Sequence, residues 1–208
     1  MRPWASEAPL LLATRSSHKA SEIRQILGAR IELVSLEDAG IEMSPVEYDI
    51  EAFDTFRENA LAKAVHFHER SGRPVIADDS GICAEALGGR PGVRSRRFSG
   101  RADLDGADLD LANNLALIEA LADVNDADRT VRYVCAAALV RARSAAICTI
   151  GTAHGRLLAE PRGAGGFGYD PHFLLPGPGL TFAELDAPAK HRHSHRAIAF
   201  RALAVALR

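Results

Sequence analysis

Two adjacent carboxylates, Asp78 and Asp79, leave the apolar run Val75-Ile76-Ala77 and lead into Ser80-Gly81. Hard oxygen donors of this kind hold Mg²⁺, which takes one or two carboxylates and completes its shell with water and substrate phosphates. Successive strand residues point to opposite faces, so a regular strand gives each acid its own side unless the chain turns at Gly81. An Asp-Ser-Gly turn with solvated acids satisfies the same residues. Upstream lie Glu47, Asp49, Glu51, Asp54 and Glu58, one of which could complete a metal site; spacing does not say which. A second cluster, Thr14-Arg15-Ser16-Ser17-His18-Lys19, stands between an apolar run and a helical pattern. Amides at a helix start, hydroxyls and a lysine make a phosphate cradle. A polar strand-to-helix turn with an N-cap serine is the plainer reading. The spaced glycines of a Walker loop are missing.

A third cluster is Gly163-Ala164-Gly165-Gly166-Phe167-Gly168-Tyr169-Asp170-Pro171. Glycines flanking aromatics suit a loop whose backbone approaches a flat ligand while a ring stacks on it; a flexible turn before the strand at His172-Phe173-Leu174-Leu175 is the alternative. The fourth, Lys190-His191-Arg192-His193-Ser194-His195-Arg196, is expected just ahead of the last helix. Cations at a helix start oppose the macrodipole unless an anion is bound there. A solvated basic turn is the other reading, and the neighbouring Arg and Lys argue against a metal on the histidines. Together the clusters offer carboxylates for a metal, donors for phosphates and an aromatic-glycine loop for a base. That set fits a nucleoside polyphosphate better than a carbohydrate or a peptide. No GxSxG elbow or HExxH helix is present.

The elements that must position these residues alternate along the chain. Strands are expected at Leu10–Ala13, Ile31–Val34 and from Pro74, with a helix from Lys19 to Leu27 stopped by Gly28. Asp54 or Thr55 caps a helix carrying Phe56, Ala60, Ala64 and Phe67, closed by Gly72 and Pro74. Leu111, Leu115, Ile118 and Ala122 mark a further helix. Val131–Arg141 and Ala145–Ala153 read as a hairpin turning at Arg141-Ala142-Arg143-Ser144. The last helix, from about Ser194, stacks Phe200, Leu203, Ala204 and Leu207. This alternation predicts an α/β or α+β protein with mixed strand directions and one folding unit. The 208 residues and formal net charge of −2 supply no field to attract nucleic acid or anionic lipid. No apolar run approaches the roughly 18–20 residues of a spanning helix, and the N-terminal run is too short for a signal peptide. The three scattered cysteines fit neither a disulfide framework nor a zinc site. A cytoplasmic protein, free of membrane and nucleic-acid partners, is expected.

In order along the chain, these motifs resemble the inosine triphosphate pyrophosphatase family. The resemblance runs from about Leu10 to Leu207. It rests on Ile76-Ala77-Asp78-Asp79-Ser80-Gly81, Ala86-Leu87-Gly88-Gly89-Arg90-Pro91-Gly92-Val93 and Ser95-Arg96-Arg97-Phe98-Ser99-Gly100. Gly165-Gly166-Phe167-Gly168-Tyr169-Asp170-Pro171, Thr181-Phe182-Ala183-Glu184-Leu185 and Ser194-His195-Arg196 carry it further. Thr55-Phe56-Arg57-Glu58-Asn59-Ala60 with Lys63, and Asn113-Asn114-Leu115, also match. The resemblance implies an elongated α/β protein with a long mixed β-sheet flanked by helices, two lobes with the active cleft between them, and a homodimer using Mg²⁺. It implies hydrolysis of ITP, dITP and XTP to monophosphate and pyrophosphate. Asp79 looks like the general base and a metal ligand, Glu51 like the second ligand, and Asp78 like an outer-shell acid. Thr14, Arg15, Ser16, Ser17, His18 and Lys19 look like the triphosphate loop, with Lys63 stabilising the leaving group. Ser80, Phe167, Gly168, Tyr169, Asp170, Lys190, His195 and Arg196 look like the rest of the substrate set, with donors from His195 and Arg196 facing purine O6. The family's usual Ala-Thr-Gly-Asn reads Ala13-Thr14-Arg15-Ser16 here, which shortens a polar reach at the triphosphate. Two other readings are a nucleotide-binding regulator that has lost catalysis and a septum-inhibition-type nucleotide pyrophosphatase. The latter type lacks the Gly-Gly-Phe-Gly-Tyr-Asp loop and the Ser-His-Arg ending.

Overall fold

The computed structural model describes residues 9–29, 31–142 and 145–206. Seven strands form one mixed sheet in the order β2-β1-β3-β4-β5-β6-β7. They are β1 (Leu10–Ala13), β2 (Leu33–Ser35), β3 (Val75–Ala84), β4 (Thr130–Ala142), β5 (Ala145–Leu157), β6 (Phe173–Leu175) and β7 (Leu180–Thr181). The helices are α1 (Ser17–Leu27), α2 (Phe56–Ser71), α3 (Gly106–Ala120), α4 (Ala187–His193) and α5 (His195–Val205). β1 pairs in parallel with both β2 and β3, while β6 pairs antiparallel with β5 and β7. The chain forms two compact units: one holds the chain up to Asp79, Cys135–Gly151 and the part from His195 onward, the other Ser80–Val134 and Thr152–Ser194.

The first unit shows why its strands read as unbroken apolar runs: both sheet faces are covered. Leu10, Leu12, Ile76, Cys135, Ala137 and Leu139 pack with Ile23 of α1 and with Ala199, Phe200 and Leu203 of α5. The alternate residues Leu11, Ala13, Val75, Ala77, Ala136 and Ala138 pack with Ala60, Ala64 and Phe67 of α2. In the second unit Ile82, Ala84, Leu117, Leu121 and Val131 surround Tyr133, Phe173 and Phe182. The Tyr133 and Phe173 rings lie 4.7 Å apart, and those of Phe173 and Phe182 4.8 Å.

Local signals set the helix ends, with α1 opening at Ser17, two residues before the expected Lys19. Ser16 caps α1 by accepting the Lys19 amide, and Thr55 caps α2 by accepting that of Glu58. Gly72 closes α2 at φ +67°. Gly151 is needed for a close approach: a Cβ there would lie 2.5 Å from the Ala199 nitrogen and closer still to the His195 carbonyl oxygen. Thr149 Oγ1 donates to the Ala199 carbonyl at 2.8 Å beside it. Gly151→Ala is therefore expected to push α5 off β5 and cost about 1–3 kcal/mol, read by urea unfolding. An unchanged midpoint would refute that contact.

Several expectations change. The second strand starts at Leu33 rather than Ile31. The Asp78–Gly81 segment is strand, not turn, since β3 runs on to Ala84. On α3 the buried residues are Leu109, Asn113, Asn114 and Leu117, whereas Leu111 and Leu115 are 57% and 58% exposed. The last helix opens at His195, where it is expected, but a separate helix, α4, precedes it, and the chain leaves the helical region at Ser194 between the two. Lys190–His193 thus form the last turn of α4, where cations suit the macrodipole; only His195 and Arg196 open a helix. Arg143 and Ser144 of the expected hairpin turn, and Leu207 of the last helix, lie outside the described residues. Among the described residues no helix is long and apolar enough to cross a membrane.

Candidate active site

In the first unit, β3 splits its two acids between the faces of the sheet. Asp78 follows Ile76 onto the face covered by α1 and α5, and Asp79 follows Val75 and Ala77 onto the face covered by α2. Lys19 and Glu22, one turn apart on α1, both reach this centre. Lys19 Nζ lies 3.1 Å from Asp78 Oδ2, which also receives Arg196 Nε at 3.5 Å. The Arg196 guanidinium makes a further charge-assisted hydrogen bond to Glu22. On α2, Asn59 and Lys63 share a face at i, i+4 spacing. Asn59 Nδ2 donates to Asp79 Oδ2 at 3.0 Å, and Lys63 Nζ donates to Glu51. Asn59 also exchanges hydrogen bonds with the Phe53 backbone at 2.9 and 3.2 Å, which ties the Glu51 segment to α2.

The electrostatics separate the acids. Burial opposes the charge on Asp78, but Lys19, Arg196 and Lys63 hold its carboxyl far below the usual range. Burial pushes Asp79 up to about 6; Lys19 pulls it down, while the nearby Glu51 charge raises it further. Burial likewise opposes Glu51, and Lys63 and then Lys19 bring it below its ordinary value. Burial disfavours the Lys63 ammonium, and the carboxylates of Glu51, Asp78 and Asp79 more than offset this, so its pKa rises. A carboxylate that ionises near neutrality is suited to taking a proton there.

The structure thus brings Lys19, Glu51, Lys63, Asp78, Asp79 and Arg196 together in one unit. Arg196, expected beside the base, pairs with Asp78 and Glu22. Arg15, expected on phosphate, grips both Glu47 oxygens at 2.8 and 3.0 Å and the Ile41 carbonyl at 3.0 Å. Ser16 spends its oxygen on the Lys19 amide, and its own amide donates to Thr14 Oγ1 at 3.2 Å. Ser17 and His18 are exposed on the first turn of α1. Glu22 and Asn59 were not singled out as site residues, and only the local match around Asn59 could have flagged either.

In the second unit the aromatic-glycine loop is tightly held. Asp170 Oδ2 accepts the Phe167 amide at 2.9 Å and Lys190 Nζ at 2.6 Å. Lys190 Nζ also sits 5.1 Å from the Phe167 ring centroid, within cation–π range. A Cβ at Gly166, where φ is +74°, would strike the Asp170 carboxylate. Tyr169, placed in the substrate set by the resemblance, is buried: its hydroxyl donates to the Ser95 carbonyl at 2.8 Å, and burial raises its pKa. Phe167 is the partly exposed ring of the pair, and Ser80 is partly buried on β3.

Fold and site define an α/β protein with a buried acid–cation centre midway along a sheet strand. Residues 10–206 match the model of the Ham1 family. The dITP/XTP pyrophosphatase of Frankia alni is 46% identical over 202 residues, covering 96% of each chain. A HAM1 protein from Coxiella burnetii superposes with a TM-score of 0.82 at 34% identity, covering 96% of this chain and 98% of that one. A nucleoside-triphosphatase / dITP/XTP pyrophosphatase from Mycobacterium abscessus superposes with a TM-score of 0.71 at 36% identity, covering 96% and 99%. The chain belongs to the Ham1 family.

Proposed function

We propose that the protein hydrolyses dITP, XTP and ITP to the monophosphate and pyrophosphate. One observation carries the reading: Asp79, pushed up to about 6, stands beside Glu51 with Lys19 and Lys63 around them. The pyrophosphatase relatives support it. Asp79 removes a proton from the attacking water as its oxygen bonds to the α-phosphorus and the bridge to the β-phosphate breaks. Lys19 and Lys63 offset charge on the departing pyrophosphate. The Thr14–Lys19 turn holds the polyphosphate, with Arg15 bracing that turn to Glu47. For the purine we assign Ser80, the Phe167–Asp170 loop, Lys190 and His195.

The donor set fits Mg²⁺. Among the described residues no group of three His, Cys, Asp or Glu could hold a metal. The chain would thus offer Glu51 and Asp79, and Mg²⁺ is the cation that accepts such a sparse carboxylate set when phosphates complete its shell. When bound it would neutralise the polyphosphate. Homodimerisation in the cytoplasm, implied by the family resemblance, belongs to the same proposal.

Pyrophosphate release from dITP, XTP, GTP and ATP, with Mg²⁺ and with chelator, tests this reading. Release from dITP and XTP well above that from ATP, abolished by chelator, is the expected result. Tight dITP binding without release would favour a regulator, and equal rates on all four would remove purine selectivity.

A further inference from the structure

Helix α3 fixes the Phe167–Asp170 loop of the second unit through one residue, Gly168. Asp110 Oδ2 accepts the Gly168 amide at 2.7 Å, and Asn114 Nδ2 donates to the Gly168 carbonyl at 2.9 Å. Asp110 and Asn114 stand one helical turn apart, and the same Asn114 nitrogen donates to the Asp110 carbonyl at 2.8 Å. Both polar groups of Gly168 are therefore taken by α3. The residue itself is at φ +64°, a backbone state that glycine adopts without strain. The next amide is held too, since Tyr169 N donates to the Tyr133 hydroxyl at 3.1 Å. Phe167 N is already engaged by Asp170, so each peptide N–H from 167 to 169 has its own acceptor. The preceding residue on α3, Asn113, does the same for another segment: it accepts the Ser99 amide and donates to the Arg96 carbonyl, both at 2.9 Å. Such anchoring exceeds what a connecting turn needs, and it sets where the Phe167 ring and the Asp170–Lys190 pair stand.

We infer that Asp110 and Asn114 are positioning residues for purine recognition, acting by clamping the backbone N–H and C=O of Gly168. This rests on the assignment of the Phe167–Asp170 loop to the base. A clamp on that loop governs how tightly the base is held, and a ligand without a base does not depend on it. The 2.7 Å bond from the Gly168 amide to Asp110 is short and has no replacement in alanine, so Asp110→Ala should raise KM for dITP roughly tenfold. Asp110→Asn keeps an acceptor oxygen for the Gly168 amide and should recover most of that loss. Inhibition by inorganic tripolyphosphate, which has no base, should change less than about twofold in either variant. Hydrogen exchange at the Gly168 amide should accelerate in Asp110→Ala and stay slow in Asp110→Asn, whatever the substrate.

The experiment measures dITP turnover, tripolyphosphate inhibition and Gly168 exchange on the full chain and both variants. A raised KM for dITP with unchanged tripolyphosphate inhibition supports the inference. Faster Gly168 exchange with an unchanged KM would overturn it while leaving the substrate reading intact. Parallel weakening of dITP and tripolyphosphate would overturn it as well, marking Asp110 as merely structural. A parent protein that turns over neither dITP nor XTP would remove the substrate reading and this inference with it.

Discussion

Asp79→Asn is expected to lower kcat on dITP by roughly 10²–10⁴-fold and, at neutral pH, to raise the stability of the metal-free protein. The first effect is the ordinary loss when a general base is removed. The second follows from the folded-state pKa. Asp79 is pushed from the ordinary carboxylate value of 3.8 up to about 6, chiefly by burial. Between those values the native state holds a proton that the unfolded chain has released, so stability falls as pH rises through this window. Above it the ionised acid costs the native state about 2–3 kcal/mol. Asparagine removes the charge and can still present an oxygen to Asn59 Nδ2. Urea unfolding of both proteins at about pH 4 and pH 7.5 checks the sign, with a gap that opens only at the higher value. A variant as active as its parent, or less stable at neutral pH, would contradict the placement of Asp79. Such opposition between function and stability is expected where an acid is held in a site that disfavours its charge.

How much of this site was legible in the sequence depends on the range of each interaction. Helix ends were readable at Gly28 and Gly72 and, to within a residue or two, at the starts of α1 and α2, because caps act within one turn of the chain. The assignment of Asp78 and Asp79 to separate faces followed from strand alternation once β3 ran straight through them. What alternation could not supply was the partner on each face. Arg196 meets Glu22 across 174 residues of sequence, and Arg15 meets Glu47 across 32. No local pattern encodes either pair. The division between α4 and α5 had a signal that went unread. Asp186 followed by Ala187-Pro188 is a helix start, and its side chain accepts the Ala189 amide at 2.7 Å. On α3 the apolar residues form more than one stripe, and periodicity alone could not say that Leu109 and Leu117 face the core while Leu111 and Leu115 face outward.

Arg196→Met should cost the protein about 3–5 kcal/mol of stability, the loss found when one partner of a buried ion network is removed. The guanidinium is 2% exposed and faces two acids, Asp78 and Glu22, which it would leave behind. Lys19 remains on Asp78, and Glu22 loses its charge-assisted hydrogen bond to the guanidinium. Glu22→Gln added to Arg196→Met should therefore recover part of the loss, a coupling that a double-mutant cycle reads directly. The pH dependence has a fixed sign. Asp78 is held far below its ordinary value by Lys19 and Arg196 after burial has opposed its charge, so its stabilising contribution is full above the unfolded value of about 3.9. That contribution fades as pH falls below this value toward the folded one. Removing Arg196 weakens the depression, so the gap between parent and variant is widest at neutral pH and narrows on acidification. Chemical unfolding at pH 7 and near pH 3 measures both ends. A loss under about 1 kcal/mol at neutral pH, or one that does not narrow in acid, would show that Arg196 fills space beside Asp78 without compensating its charge. The expected outcome instead makes Arg196 the counter-charge that allows Asp78 to remain ionised in the sheet next to the more weakly compensated Asp79.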